Sequence, residues 1–431
     1  MVQKKNKRRE AAFVFLAPLM SKQTAKQAGK RESAGLRVYE KYECRKKRRE
    51  AEGNDNMDLQ DLREKLDRID EQIVKLYEER MEITSQVADY KIETGKKVLD
   101  KSREEEKLRM VRSMTHNDFN AHGVQELFEQ IMSMSRKLQY NKLAQRGAHG
   151  KLPFIGVDGL DMKNARVVFQ GAEGAYSQMA MMRYFGDDVN CFHVDTFRDA
   201  MCAIEEGSAD YAVLPIENST AGIVSEIYDL LVEYENYIVG EQIIKIEHCL
   251  IGLPGTDFDK IKTVYSHPQS LMQSARYLSV HEGWRQISMQ NNAFAARKVS
   301  EEKDPCQAAI ASEQAAKIYG LEILERGVNQ SENNSTRFII VTNQKIFLKD
   351  AKKVSICLEV PHESGSLYHM LSHFIYNNLN MTKIESRPIE ERNWEYRFFI
   401  DFEGNLADGA VKNALRGLRE EARNMKILGN Y

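Results

Sequence analysis

Residues Asp58–Tyr90 read DLQDLREKLDRIDEQIVKLYEERMEITSQVADY, with apolar side chains at Leu59, Leu62, Leu66, Ile69, Ile73 and Leu76, then at Ile83, Val87 and Tyr90. Steps of three and four residues make the seam of a long packed helix. The next apolar position after Leu76 is taken instead by Arg80. A guanidinium facing such a seam is almost never fully buried unless an anion pairs with it. Either a protein carboxylate or an anionic ligand is expected there.

Working outward, the block from Met57 to about Gln145 has no proline, and Gly95 stands between helical patterns. The first helix is expected to run to about Glu93, which is roughly 50 Å at ~1.5 Å per residue. Asp100 opens a shorter helix through Met114, whose acidic first turn (Glu104, Glu105, Glu106) suits the helix dipole. A further helix from Gly123 carries Val124, Leu127, Phe128, Ile131, Met134 and Leu138. A helix as long as the first cannot bury its seam against shorter neighbours in one small chain, so the pattern predicts an intertwined helical dimer.

Charged and polar residues accompany the seam. Arg63 follows Leu62, Lys91 follows Tyr90, and Asp100, Arg103 and Glu104 open the second helix, while Ser135 and Gln139 flank the stripe of the third. Taken singly, Arg63, Lys91 and Arg103 read first as solvated flank residues. As a set, at these spacings, they resemble the all-helical chorismate mutases. The resemblance implies an intertwined dimer in which Arg80, with Arg63 from the partner chain, holds the substrate carboxylates. Lys91 and Gln139 would bracket the ether oxygen, and Asp100, Arg103, Glu104 and Ser135 would complete the pocket. Such a reaction is pericyclic and needs no nucleophile, metal or proton transfer. It needs preorganised cations that hold a compact dianion and stabilise charge developing on the breaking ether.

Arg146 to Ala165 reads as a linker, with glycines, a proline and little periodicity. From Arg166 to about Asn343, short apolar runs alternate with helical patterns: Val167–Phe169, Tyr211–Leu214, Thr263–Tyr265 and Ala308–Ala311 are expected to be buried strands of largely parallel sheets. Polar turns close several of these runs, where open α/β sheets bind ligands. They are Gln170-Gly171-Ala172-Glu173-Gly174-Ala175-Tyr176-Ser177, Pro215-Ile216-Glu217-Asn218-Ser219-Thr220, Ser266-His267-Pro268-Gln269 and Asn334-Ser335-Thr336-Arg337-Phe338. Ser266 also reads as a plain helix cap, His267 as a surface residue and Arg337 as an ordinary ion-pair partner. Together the segments resemble the prephenate dehydratases, with Thr336-Arg337-Phe338 as that family's signature. The resemblance implies two α/β lobes with the site in the cleft between them. Thr336 would protonate or hydrogen-bond the departing ring hydroxyl, and Glu217, Asn218, Ser266 and Gln273 would line the pocket. Arg337 would pair with a substrate carboxylate and Phe338 would pack on the ring. Aromatisation drives this decarboxylation and dehydration, so no cofactor is implied.

Lys353 to Tyr431 reads strand–helix–strand–strand–helix–strand, the ferredoxin-like order of a small α+β module. Gly365-Ser366-Leu367-Tyr368 opens its first helix and Glu385-Ser386-Arg387-Pro388 ends its second strand. Both resemble the phenylalanine-binding motifs of regulatory ACT domains, although Ser366 and Tyr368 depart from the usual form of the first. Gly365, Ser366, Leu367, Glu385, Ser386, Arg387 and Pro388 would then bind phenylalanine at an interface shared between subunits.

The 431 residues, 42% hydrophobic and 29% charged with a formal net charge of −2, suit a chain of several domains and disfavour a nucleic-acid binder. The cysteines at 44, 191, 202, 249, 306 and 357 form no CxxC pair and read as reduced thiols of a cytoplasmic protein, and no zinc-ligand spacing occurs, so no metal is expected. Residues 1–56 carry basic runs at Lys4–Arg9 and Lys46–Arg49 around an apolar stretch, Ala11–Met20, too short for the ~20 residues of a membrane span. They are expected to be a disordered or extraneous extension, with Met57 a plausible start. The expected fold is therefore multidomain: helical residues 57–145, a linker 146–165, a two-lobed α/β domain 166–345 and an α+β module 353–431. The expected function is the two-step conversion of chorismate through prephenate to phenylpyruvate, feedback-inhibited by phenylalanine. The alternatives are a non-catalytic amino-acid sensor and a dehydratase preferring arogenate.

Overall fold

The computed structural model describes residues 59–146, 152–331, 333–389 and 392–431. The expected N-terminal extension, 1–56, lies outside the described residues. The chain divides into two compact units, residues 1–80 and 81–431.

In the first unit the described residues are helical, as the opening part of the helix Leu59–Thr94. Leu59, Leu62, Leu66, Ile69, Ile73 and Leu76 are all exposed, so the seam predicted from the spacing forms and faces outward in the single chain.

The second unit begins with the rest of that helix, where Ile83, Val87 and Tyr90 are likewise exposed. Lys101–Ser113 follows, with the Asp100 carboxylate capping it by accepting from the Arg103 N–H at 3.2 Å. The next helix, Asp118–Gln145, starts five residues before the expected Gly123. The reason is a cap: the Asn117 side chain accepts from the Asn120 N–H at 2.7 Å, and Gly123 is carried inside the helix. No described helix is long and apolar enough to cross a membrane.

The expected linker contains a short strand, Ile155–Val157, which pairs in parallel with Ile346–Leu348. Beyond it two lobes form. The first centres on strands Tyr237–Lys245, Ser335–Thr342, Tyr211–Asn218, Arg166–Gln170 and Asn190–Val194, in that spatial order. The second orders Glu322–Arg326, Cys249–Gly252, Gln307–Ala311, Thr263–Ser266 and Arg285–Ser288. All the buried strands expected from the sequence are present. The sheets are mixed rather than largely parallel, because the strands that carry the chain between lobes run against their neighbours: Ser335–Thr342 pairs antiparallel on both sides, and so does Cys249–Gly252. Within the two lobes, the parallel pairs are between strands joined through helices.

The C-terminal module has the expected βαββαβ order: Lys353–Glu359, helix Ser366–Tyr376, Met381–Pro388, Tyr396–Glu403, helix Gly409–Glu421 and Asn424–Asn430. Alternation along Lys353–Glu359 sends Val354, Ile356 and Leu358 under the module's own helices and Cys357 into the core of the first lobe, beside Phe399. Its sheet continues that of the first lobe through a parallel contact of Gly429 with Ile238. A Cβ on Gly429 would lie 2.1 Å from the Ile238 carbonyl oxygen, so only glycine allows this join. On the module's far side, helix Asp118–Gln145 packs across both of its helices.

Candidate functional sites

In the first unit Arg63 is exposed and Arg80 half-buried. Burial lowers the Arg80 pKa, and nearby Tyr77 works against the shift. In the second unit Lys91 donates to the Val98 carbonyl at 2.6 Å. Burial lowers its pKa, opposed by the charges of Asp100, Glu104 and Glu420, which gather around its ammonium. Glu104 is held by Arg136 at 2.5 Å. The Ser135 hydroxyl donates to the Ile131 carbonyl at 2.8 Å, and the buried Gln139 carries an Oε1 with no hydrogen-bond partner among the described residues. Arg103 is exposed in the single chain and pairs with Glu106 at 2.7 Å. The structure thus gathers Lys91, Asp100 and Glu104 and buries Ser135 and Gln139 on the helix behind.

Between the lobes a continuous chain of hydrogen bonds crosses the junction. The Asn218 amide donates to the Thr336 hydroxyl oxygen and to Asn334 Oδ1, each at 2.8 Å. Its own Oδ1 accepts from Thr220, whose hydroxyl accepts from Gln273 Nε2 at 2.7 Å. Gln273 Oε1 meets His248 Nε2 at 3.0 Å, and His248 Nδ1 meets the Tyr176 hydroxyl at 3.0 Å. Burial lowers the His248 pKa, which favours the neutral imidazole. His248 was not singled out in the sequence: a lone histidine before an apolar strand carries no spacing signal.

Other expected residues are placed differently. The Ser266 hydroxyl is fully buried and donates to the Ile310 carbonyl at 2.6 Å; Asn292 Oδ1 lies 3.1 Å away. It therefore ties strands together instead of lining a pocket. His267 is the helix cap, accepting from the Gln269 N–H at 3.2 Å. Phe338 fills the first lobe's core with Val167, Phe169 and Ile340, because alternation along its strand points it inward. Arg337, on the opposite face, is surrounded by Asp401 at 3.1 Å, Glu217 at 3.3 Å and Glu241 at 3.4 Å, which makes it an ion-pair hub. Burial alone would raise the Glu217 carboxyl, but Lys383, at 2.8 Å, and Arg337 hold it below its usual range.

The glycine turn has its own geometry. Gly174 has φ +86°, and a Cβ there would lie 2.8 Å from Ala315 Cα of the second lobe. The Ser312 hydroxyl donates to the Gly174 carbonyl at 2.8 Å, closing the lobes on each other at this point.

In the C-terminal module Gly365 has φ +78° at the start of helix Ser366–Tyr376, and Ser366 donates to the Pro361 carbonyl at 2.6 Å. Ser366 and Leu367 border a cavity of about 360 Å³ with Tyr396 and Phe398. Glu385, Ser386, Arg387 and Pro388 lie on the sheet's outer strand and do not line that cavity; Arg387 instead pairs with Asp229 at 2.5 Å.

A helical block with clustered cations and carboxylates, followed by two lobes sharing a polar junction, defines a multidomain enzyme with two separate sites. The chorismate mutase type II family matches residues 62–140 and the prephenate dehydratase family residues 167–346. The bifunctional chorismate mutase/prephenate dehydratase of Escherichia coli K12 is 33% identical over 381 residues, covering 86% of this chain and 95% of that protein. That of Buchnera aphidicola subsp. Acyrthosiphon pisum is 33% identical over 384 residues, with 87% and 97% coverage. Among solved structures, prephenate dehydratase from Arthrobacter aurescens in complex with L-Phe is similar with a TM-score of 0.58 and 27% identity, covering 62% of this chain and 89% of that one. GqqA, a quorum quenching acylase, is similar with a TM-score of 0.57 and 32% identity, covering 62% and 97%. The chain belongs to the family of bifunctional chorismate mutase/prephenate dehydratases.

Proposed function

We propose that this chain rearranges chorismate to prephenate in its helical block and converts prephenate to phenylpyruvate between its lobes, under phenylalanine control exerted through the C-terminal module acting as an ACT domain. The Asn218–Thr336 pair carries the second assignment. With Asn218 donating to its oxygen, the Thr336 hydroxyl is polarised and keeps its hydrogen for a ligand. That hydrogen is donated to the departing ring hydroxyl, which leaves as water, and the Thr336 oxygen regains a proton from solvent. The ring carboxylate leaves as carbon dioxide, and the electron pair it releases completes the aromatic ring. Asn218 and Gln273 orient the substrate, Glu217, the residue before Asn218, is assigned to the pocket wall, and no cofactor is required.

For the first step, Arg80, Arg63 of the partner subunit, Lys91 and Gln139 are the groups we assign to the dianion and its ether oxygen, with Asp100, Glu104 and Ser135 around them. The outward-facing seam from Leu59 to Tyr90 supports a homodimer, since so continuous an apolar stripe calls for a second copy. We assign Gly365–Leu367 and Glu385–Pro388 to phenylalanine binding across subunits, the two motifs lying apart within one chain. The described cysteines, 191, 202, 249, 306 and 357, are all free, in keeping with a reducing cytoplasmic setting.

Purified protein given chorismate should yield phenylpyruvate, and phenylalanine should suppress the yield. Thr336→Ala should stop the second step, by about 10²–10⁴-fold, while prephenate accumulates. Arg80→Ala should abolish the first step yet spare turnover of supplied prephenate. An absence of product from both chorismate and prephenate would favour an amino-acid sensor.

A further inference from the structure

Residues 132–141 of the third helix dock on the C-terminal module through charges that the mutase assignments do not use. Arg136, with its side chain 9% exposed, pairs with Glu104 at 2.5 Å and with Glu421 of the module at 3.1 Å. His373 approaches the same Glu421 oxygen at 3.2 Å. One residue on, Lys137 lies 3.1 Å above the Tyr376 ring and donates to Ser372 at 3.3 Å. Tyr140 donates to Glu420, and Asn413 donates to Asn141 at 2.7 Å. A cavity of about 290 Å³ opens at this junction, walled by Leu99, Glu104, Met132, Arg136, Ser366 and Glu421.

A buried guanidinium needs carboxylates, and two that share it are fixed by its planar fork. Here one carboxylate is Glu104, assigned above to the mutase pocket, and the other belongs to the module that carries the expected phenylalanine motifs. Burial would lower the Arg136 pKa, but Glu421 and Glu104 more than offset it, and Glu421 stays below its usual range with help from His373 and Arg136. The pair is therefore charged on both sides. We propose that Arg136 is a positioning residue of the mutase step, fixing the Glu104 carboxylate while itself held by Glu421 of the C-terminal module. This rests on the mutase reading of the helical block. It adds a direct contact by which the state of the module reaches the mutase pocket without passing through the two lobes.

The test is a cycle of full-length variants: Arg136→Gln, Glu104→Gln and the double, assayed for chorismate consumption and, in the same preparations, for turnover of supplied prephenate. Loss of a charge-assisted bond should lower mutase kcat by about tenfold in Arg136→Gln, with Arg136→Lys recovering part of it. In the Glu104→Gln background the same Arg136 substitution should change kcat less than roughly twofold, because its action runs through Glu104. Glu421→Gln should lower mutase kcat severalfold by the same route and lose that effect when Glu104 is already Gln. Dehydratase turnover should hold within about twofold throughout, which reports an intact fold. An unchanged mutase in Arg136→Gln overturns the proposal, as does an equal loss in both backgrounds or a parallel loss of dehydratase turnover. Failure of the unaltered chain to consume chorismate would overturn the mutase reading itself, a distinguishable result.

Discussion

Gly174→Ala isolates the contact on which closure of the two lobes depends. Two costs add. The backbone at φ +86° lies in the left-handed region, where a Cβ costs about 1–2 kcal/mol. The new methyl would also sit 2.8 Å from Ala315 Cα and 3.0 Å from its Cβ, backbone-anchored atoms that cannot rotate away. Overpacking of that kind costs about 1–3 kcal/mol. The sum, roughly 2–5 kcal/mol, is a large part of the ~5–15 kcal/mol that keeps a typical protein folded. Relief by lobe separation would stretch the Ser312–Gly174 bond of 2.8 Å and the Tyr319–Glu173 bond of 2.9 Å. Gly207, with φ +74° and nothing within 4 Å of a built Cβ, supplies the control that pays the backbone cost alone. Urea unfolding midpoints should therefore fall further for Gly174→Ala than for Gly207→Ala. Dehydratase kcat/KM should fall in the first only, with mutase activity spared in both. If Gly174→Ala proved no worse than Gly207→Ala in both measurements, the close approach of the lobes would be wrong.

Ser266→Ala should behave as a structural loss: about 1–2 kcal/mol of stability from the buried bond to Ile310, with KM for prephenate within roughly twofold; a large rise in KM at unchanged stability would return Ser266 to the substrate pocket. Lys137 offers a pH test. Burial and neighbouring Arg136 push its pKa down to about 7 from the usual 10.5, so between those values the unfolded chain binds the extra proton and stability rises with pH. Lys137→Met should accordingly raise the melting temperature at pH 7, and the gain should fade toward pH ~10. A gain that stays constant or grows would contradict a buried, strained ammonium.

What the sequence conveyed follows from the range of the forces involved. The Asp58–Tyr90 seam, the buried strands and the βαββαβ order rest on local periodicity, and each element formed within a few residues of its expected limits. The three-residue strand Ile155–Val157 did not show, because its only support is a partner nearly two hundred residues away, Ile346–Leu348. The mixed sheets were hidden for a similar reason: strand direction is set by how the chain crosses between lobes. Asn117 was missed as a cap because the following turn, Asp118–His122, carries little apolar signal. His248 joins Tyr176 and Gln273, which are 72 and 25 residues distant, and no spacing rule could have paired them.

Arg337 shows how far a residue's type can be read without its surroundings. The sequence offered two roles, substrate anchor or ion-pair partner, and the charges around it weigh toward the second. Asp401, Glu217 and Glu241 supply the anions, while Arg337, Lys383 (2.8 Å from Glu217) and Lys353 (2.6 Å from Glu241) supply the cations. The set is balanced, with no net positive charge to offer an incoming dianion. Asp401, Lys383 and Lys353 all belong to the C-terminal module, and Asp401 is further fixed by Ser355 at 2.6 Å. The next residue back from Arg337 is Thr336. A shift of the C-terminal sheet would therefore pull on the strand that carries the dehydratase hydroxyl. The signature arginine thus ties the strand that carries Thr336 to the C-terminal module.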